Sequence, residues 1–314
     1  MIKKINGDLC HDMLLENAER KLAFDENAEY DVWRENVRNK FIELLGINNI
    51  KKNSCSLNID IEEECEKEGY KQIRFTFDSE HGATVPCYLL IPDTGKESYP
   101  VAIVIQGHTT GFHNSAGLAK TEEDKENYPS WCFGLQAVEN GFAALCLEQR
   151  GMGERCSWQR YGEDRNYELG NHSCSVTALR AINLGRTVIG ERVWDISKGI
   201  DALENFKDLG LDLEKILIMG HSGGGTATYY AACYDDRIRY SVPAGAFCSY
   251  KASVMAMQHC VCNYIPDICN WLEMEDLACL IALTIAACFV GGCGKDVEDT
   301  STDTTNTVVE STIE

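Results

Sequence analysis

The residues best placed to do chemistry are Gly220-His221-Ser222-Gly223-Gly224, a full G-x-S-x-G match. Ile216 to Met219 precede it as four apolar residues without alternation, as in a strand buried on both faces of a parallel sheet. A helix-compatible run follows at once. A serine at the tip of a sharp strand-to-helix turn needs small neighbours, because a Cβ there collides with the adjoining strand and helix. The helix start adds backbone N–H groups and partial positive charge where an oxyanion would form. The chemistry is therefore nucleophilic, with Ser222 as nucleophile and Gly223 as one oxyanion donor. A glycine-rich turn that only binds an anion or closes a loop is the plainer alternative. Against it, strand, serine and helix fall in the order that acyl transfer requires.

A second oxyanion donor should come from a loop after a central strand upstream of the serine. Val101 to Ile105 reads as such a strand and runs into Gln106-Gly107-His108-Thr109-Thr110-Gly111-Phe112-His113. Backbone N–H groups around His108 and Thr109 are the candidates, while the imidazoles of His108 and His113 are expected to brace the loop. Phe142 to Leu147 forms a further buried strand, followed by charged Glu148, Arg150, Glu154 and Arg155, expected to pair with one another. His172 falls in a stretch from Ser157 to Cys174 without periodicity, expected to cover the site.

The remaining elements position these residues. Residues 8 to 46 carry two helical patterns, the second through Val32, Trp33, Val37, Phe41, Leu44 and Leu45, closed by Gly46. Residues 71 to 91 alternate and break at Glu80-His81-Gly82, as two antiparallel strands would. A helix is expected around Trp131 to Glu139. From Arg186 a long amphipathic helix follows, with Val193, Ile196, Ile200 and Leu203 inward and Glu191, Lys198 and Glu204 outward. Tyr240 to Phe247 reads as a strand, and Ser253 to Leu280 as a packed helix or a lid.

Bulk properties narrow the partners. The chain of 314 residues, 44% hydrophobic, can fill one large α/β domain. A formal net charge of −20 argues against nucleic acid and anionic membranes, both of which need clustered cations. Sixteen cysteines scattered through apolar segments fit a reducing compartment in which cysteine serves as a small hydrophobe. Cys260 and Cys262 form a C-x-C beside His259 without a second pair at zinc spacing, so no metal is expected. The first residues carry positive charge but no apolar region after it, which does not support an N-terminal export signal and gives a cytoplasmic expectation.

Taken together, I-Q-G-H-T-T-G-F-H-N-S from Ile105, L-E-Q-R-G-M-G-E-R from Leu147, G-R-T-V-I-G-E-R-V-W-D from Gly185, M-G-H-S-G-G-G-T from Met219 and H-C-V-C-N-Y-I-P from His259 resemble the α/β-hydrolases. Within them the chain is similar to the bacterial acetyl-xylan-esterase-like and dienelactone-hydrolase-like group, over roughly residues 30 to 282. The resemblance implies an α/β fold with a mostly parallel, eight-stranded sheet and helices on both faces. It further implies hydrolysis of small carboxylic esters such as acetylated sugars, without a cofactor, with Ser222 as nucleophile and Gly223 and the His108 loop as oxyanion hole. The expected division is a helical extension over 1–66, a hydrolase core over 67–282 and an atypical tail over 283–314.

The same group expects an acidic residue and then a histidine after the serine. Here the sequence departs from the pattern after Ala282. An apolar run, Val290-Gly291-Gly292-Cys293 and an acidic Thr-rich end follow, similar to a lipoprotein signal but standing at the wrong end of the chain. Asp296 is the candidate acid, and His259 and His172 are the candidates for the base, since no histidine follows His259. Loss of the base in a serine hydrolase costs on the order of a million-fold in turnover, roughly 8 kcal/mol of barrier. A hydrolase scaffold that at most binds ligand is therefore the alternative expectation. A membrane tether at Leu277 to Cys293 is a weaker third, and Thr300 to Glu314 is expected to lack order.

Overall fold

Unbroken apolar runs and period-two alternation become six of the seven described strands of one mixed sheet. The computed structural model describes residues 5–157 and 173–281. Expectations for His172, Asp296 and the tail over 283–314 lie outside the described residues. In chain order the helices are α1 (Leu9–Glu16), α2 (Tyr30–Leu44), α3 (Ile47–Lys51), α4 (Glu122–Glu126) and α5 (Phe133–Glu139), then α6 (Cys174–Asn183), α7 (Val188–Leu203), α8 (Gly223–Tyr234) and α9 (Met274–Leu277). The strands are β1 (Asp60–Lys67), β2 (Tyr70–Glu80), β3 (Ala83–Pro92), β4 (Tyr99–Ile105), β5 (Ala143–Leu147), β6 (Leu211–His221) and β7 (Ile238–Ala244).

Their order in the sheet is β1-β2-β3-β5-β4-β6-β7. Strands β5, β4, β6 and β7 are mutually parallel, and β1 to β3 join them as an antiparallel flank. The described residues thus hold seven strands, where the resemblance implies eight. Alternation along β4 divides the core: Val101, Ile103 and Ile105 face the larger cluster, and Ala102 and Val104 the smaller one. The larger cluster is closed by α2, α7 and α8, and the smaller by Phe112 and by Ala137 and Val138 of α5.

Helix α2 buries Trp33, Val37 and Phe41 in the same cluster as the sheet, while Val32 lies off this face and is exposed. Helix α7 starts where Thr187 Oγ1 accepts the Gly190 N–H at 2.9 Å, an N-cap bond worth about 1 kcal/mol. Its apolar stripe is buried as expected, but Glu191 is buried too, and not on the solvent side. It lies 3.1 Å from Arg186 and 3.4 Å from Arg150, and paired charges can enter a core that periodicity alone would deny them.

Two further differences have local causes. Strand β1, Asp-Ile-Glu-Glu-Glu-Cys-Glu-Lys, has no apolar alternation, because it is an exposed edge whose acidic side chains pair with Lys71 and Arg74 of β2. The segment 253–280 is turns, short 3-10 turns and α9, not one helix. Pro266 removes a donor there, and Asp267 sits at φ 67°, which ends a right-handed helix.

Candidate active site

Strand β6 ends in the turn that carries Ser222. Ser222 has φ 55° and ψ −122°, outside the regions open to an L-residue without strain, and α8 begins at the next residue. The turn is fixed on both sides: Ser222 N–H donates to Ala244 O at 2.9 Å, and Thr226 N–H donates to Ser222 O at 3.0 Å. Neighbouring glycines are required by contact. A Cβ on Gly220 would stand 2.6 Å from Gly224 O, and one on Gly224 would stand 2.3 Å from Ile105 O and 2.6 Å from Gln106 O. The helix is thus seated directly on the end of β4. Ser222 itself is exposed, and its Oγ makes no hydrogen bond with another described residue.

The loop after β4 crosses this turn. A Cβ on Gly107 would lie 2.8 Å from His221 O and 3.3 Å from Ser222 Cβ, so backbone and serine are in contact range. Gly223 N–H is at the first position of α8, where no earlier turn of helix offers it an acceptor. Thr109 N–H is committed within the loop, donating to Gly107 O at 2.9 Å. The His108 ring lies over Gly223, its Cε1 and Nδ1 at 2.7 and 2.8 Å from where a Cβ would be. Its Nε2 lies 3.1 Å from Cys260 Sγ and 3.4 Å from Cys262 Sγ.

His113 is fully buried and braces the loop, with Nε2 at 3.1 Å from Asp124 Oδ2. Burial holds its pKa below the ordinary value. For Asp124, burial works upward, but hydrogen bonds from Thr110 and His113 outweigh it and bring the carboxyl to about 2.

Charged residues after β5 find partners mainly on other elements, not among themselves. Arg150 reaches Glu80 at 2.7 Å and Asp195 at 2.7 Å, Arg155 reaches Asp195 at 2.7 Å, and Glu154 reaches Arg74 at 2.6 Å. Burial pushes Asp195 upward, but Arg150 and Arg155 hold it at about 2. Glu148 is buried without a cation of its own and accepts N–H bonds from Phe112 and Glu154 at 3.3 and 3.2 Å. Burial dominates there and raises its pKa to about 7. These residues tie β5, β2 and α7 together beneath the loop.

No described imidazole is hydrogen-bonded to Ser222 Oγ: His108 turns Nε2 to the two thiols, His113 faces Asp124 and His259 faces Asn263. Asn263 Nδ2 lies 3.0 Å from His259 Nδ1. Cys260 and Cys262 stand beside His259 in sequence, where no metal was expected, whereas in the fold their neighbours are His108 and Cys174. Cys174, on α6, and Arg192, on α7, carry no local spacing signal, since only the fold brings them to this loop.

The solved structures that resemble the chain share its fold at low identity. A Bacteroides fragilis NCTC 9343 protein named as an acetyl xylan esterase superposes with TM-score 0.75 at 19% identity, covering 90% of this chain and 76% of that one. Methylesterase BT1017 gives 0.60 at 18% over 89% of this chain and 55% of its own. A glucuronoyl esterase from Solibacter usitatus gives 0.54 at 13% over 85% and 79%. No curated protein matches the chain. The family model Abhydrolase_7, described as Abhydrolase family, matches residues 6–242, and with three-quarters of its length so matched the chain belongs to this abhydrolase family.

Proposed function

We propose that the protein is a serine-dependent hydrolase of small carboxylic esters, acetylated sugars being the favoured class. The observation that carries this reading is the conformation of Ser222, a strained non-glycine residue between a buried strand and a helix. Solved structures of the same fold named for acetyl xylan, methyl and glucuronoyl esters support it. In the reaction, Ser222 Oγ attacks the acyl carbon as its proton passes to an imidazole. Backbone N–H groups of Gly223 and His108 take the oxyanion charge. The alcohol leaves with a proton, and water then releases the acid from the acyl-serine.

His172 and His259 are the candidates for the base, and Asp296 for the acid that orients it. Asn263 donates to His259 Nδ1, which puts the proton of the neutral ring on Nε2. A ring in that tautomer cannot accept a proton at Nε2, so His172 is the better candidate. Turnover of 4-nitrophenyl acetate by the wild type and by S222A, H172A and H259A tests the assignment. A loss of several orders of magnitude in S222A and H172A, with a small effect in H259A, is expected. Equal rates in wild type and S222A would overturn it.

A second reading, a scaffold impaired in catalysis, rests on the engagement of His108, His113 and His259 away from Ser222. Under it, attaching a C-terminal segment from an active family member raises turnover by several orders of magnitude, and no gain would count against it. Cys87, Cys132, Cys146 and Cys233 are buried free thiols, which favours a reducing compartment. Among the described residues no helix is long and apolar enough to cross a membrane.

A further inference from the structure

Four side chains behind the oxyanion loop take no part in the reaction above. His108 Nε2, Cys174 Sγ, Cys260 Sγ and Cys262 Sγ all lie within 4.8 Å of one another. They come from three separate places: the loop after β4, the first turn of α6, and the segment leading to Tyr264. Cys174 and Cys262 are fully buried. The contacts are 3.1 Å from His108 Nε2 to Cys260, 3.4 Å to Cys262, and 3.2 Å between these two sulfurs.

A fifth group supplies an independent reason for negative charge here. Arg192 is fully buried and donates Nη2 to Cys174 Sγ at 3.2 Å. Its Nε and Nη2 also donate to Arg150 O, at 3.1 and 2.7 Å. Among the described residues it has no carboxylate partner, and its buried Nη1 has no hydrogen-bond partner. A guanidinium keeps its charge, and an unpaired charge in a core costs several kcal/mol. The thiols are the groups at hand that can become anions.

We propose that Cys174, Cys260 and Cys262 as thiolates, with His108 Nε2 as fourth ligand, bind a structural zinc ion. Soft thiolates with an imidazole select zinc over calcium, magnesium or manganese. Four protein ligands close the tetrahedron and leave no position for water, which makes the site structural and not catalytic. One divalent cation and three thiolates sum to a single negative charge, which Arg192 neutralises. Bonds of about 2.3 Å to sulfur and 2.0 Å to nitrogen put tetrahedral ligand atoms about 3.5–3.8 Å apart, so these three contacts need open by about 0.1–0.6 Å. Binding displaces three thiol protons to solvent, so affinity rises with pH. The ion clamps the loop that donates His108 N–H to α6 and to the segment after His259, with the imidazole held over Gly223.

The test uses the full chain, purified under reducing conditions without a metal-binding tag. One equivalent of zinc per chain by elemental mass spectrometry is expected. Replacing it with cobalt should give near-ultraviolet thiolate-to-cobalt bands and the intense visible bands of a tetrahedral ion. C260S should lose both signals, whereas C248S, an exposed cysteine outside the cluster, should keep them. H259N should also retain the metal, since His259 is not a ligand. S222A should keep its zinc as well, so this proposal and the esterase reading fail separately. If C260S does not fold, the cobalt spectrum of the wild type decides. Folded, reduced protein that contains no zinc and gives no tetrahedral spectrum with added cobalt overturns the proposal, as does a native disulfide within the cluster.

Discussion

Replacing Ser222 by glycine should stabilise the protein relative to replacing it by alanine. Both changes remove a hydroxyl whose oxygen makes no hydrogen bond with another described residue, so the two variants differ only in the Cβ. At φ 55° and ψ −122° that Cβ is strained, and residues in such regions cost of order 1–3 kcal/mol. Glycine relieves this but adds backbone freedom to the unfolded chain, which costs about 0.5–1 kcal/mol. S222G should therefore exceed S222A by about 1 kcal/mol in urea unfolding at equal m-value, where an unstrained site would favour alanine by a similar amount. Alanine more stable than glycine by 0.5 kcal/mol or more, on the order of that ordinary preference, would mean that the turn holds no strain, and the reasoning for an elbow would fail.

Further expectations follow from the buried groups. D195N leaves Arg150 and Arg155 with one carboxylate fewer in a buried, charge-balanced network, and should cost about 3–5 kcal/mol, read as a fall in Tm of about 10 °C. Glu148 has a folded pKa of about 7 against an ordinary 4.5, so the native state keeps a proton that the unfolded chain releases. Its contribution is fully present below 4.5 and falls by about 3 kcal/mol as pH rises to 7; E148Q should flatten that part of the stability–pH curve. G224A sets a Cβ against backbone oxygens of Ile105 and Gln106, which cannot yield, and should cost about 1–3 kcal/mol by urea unfolding while lowering ester turnover.

Much of the scaffold could be read from pattern. Strands β2 to β6 announce themselves by alternation or by apolar runs, and the G-x-S-x-G turn by the small residues that its contacts require. What pattern missed depends on tertiary partners. Strand β1 has no alternation because its face is solvent, and Glu191 is buried because Arg150 and Arg186 meet it there. Of the thiol cluster the sequence showed only the C-x-C, without a second pair at zinc spacing, and the packing of α6 and the His108 loop supplied Cys174 and His108. Backbone donors were expected at His108 and Thr109, and Thr109 N–H donates instead within the loop to Gly107 O.

The most direct test of the central claim is the mass of the intact protein after exposure to an alkyl phosphonate or a slowly hydrolysed acyl ester, followed by peptide mapping. The account predicts one adduct, on the peptide containing Ser222, absent in S222A. A folded protein that gains no adduct, or one that is labelled equally in S222A, would contradict it.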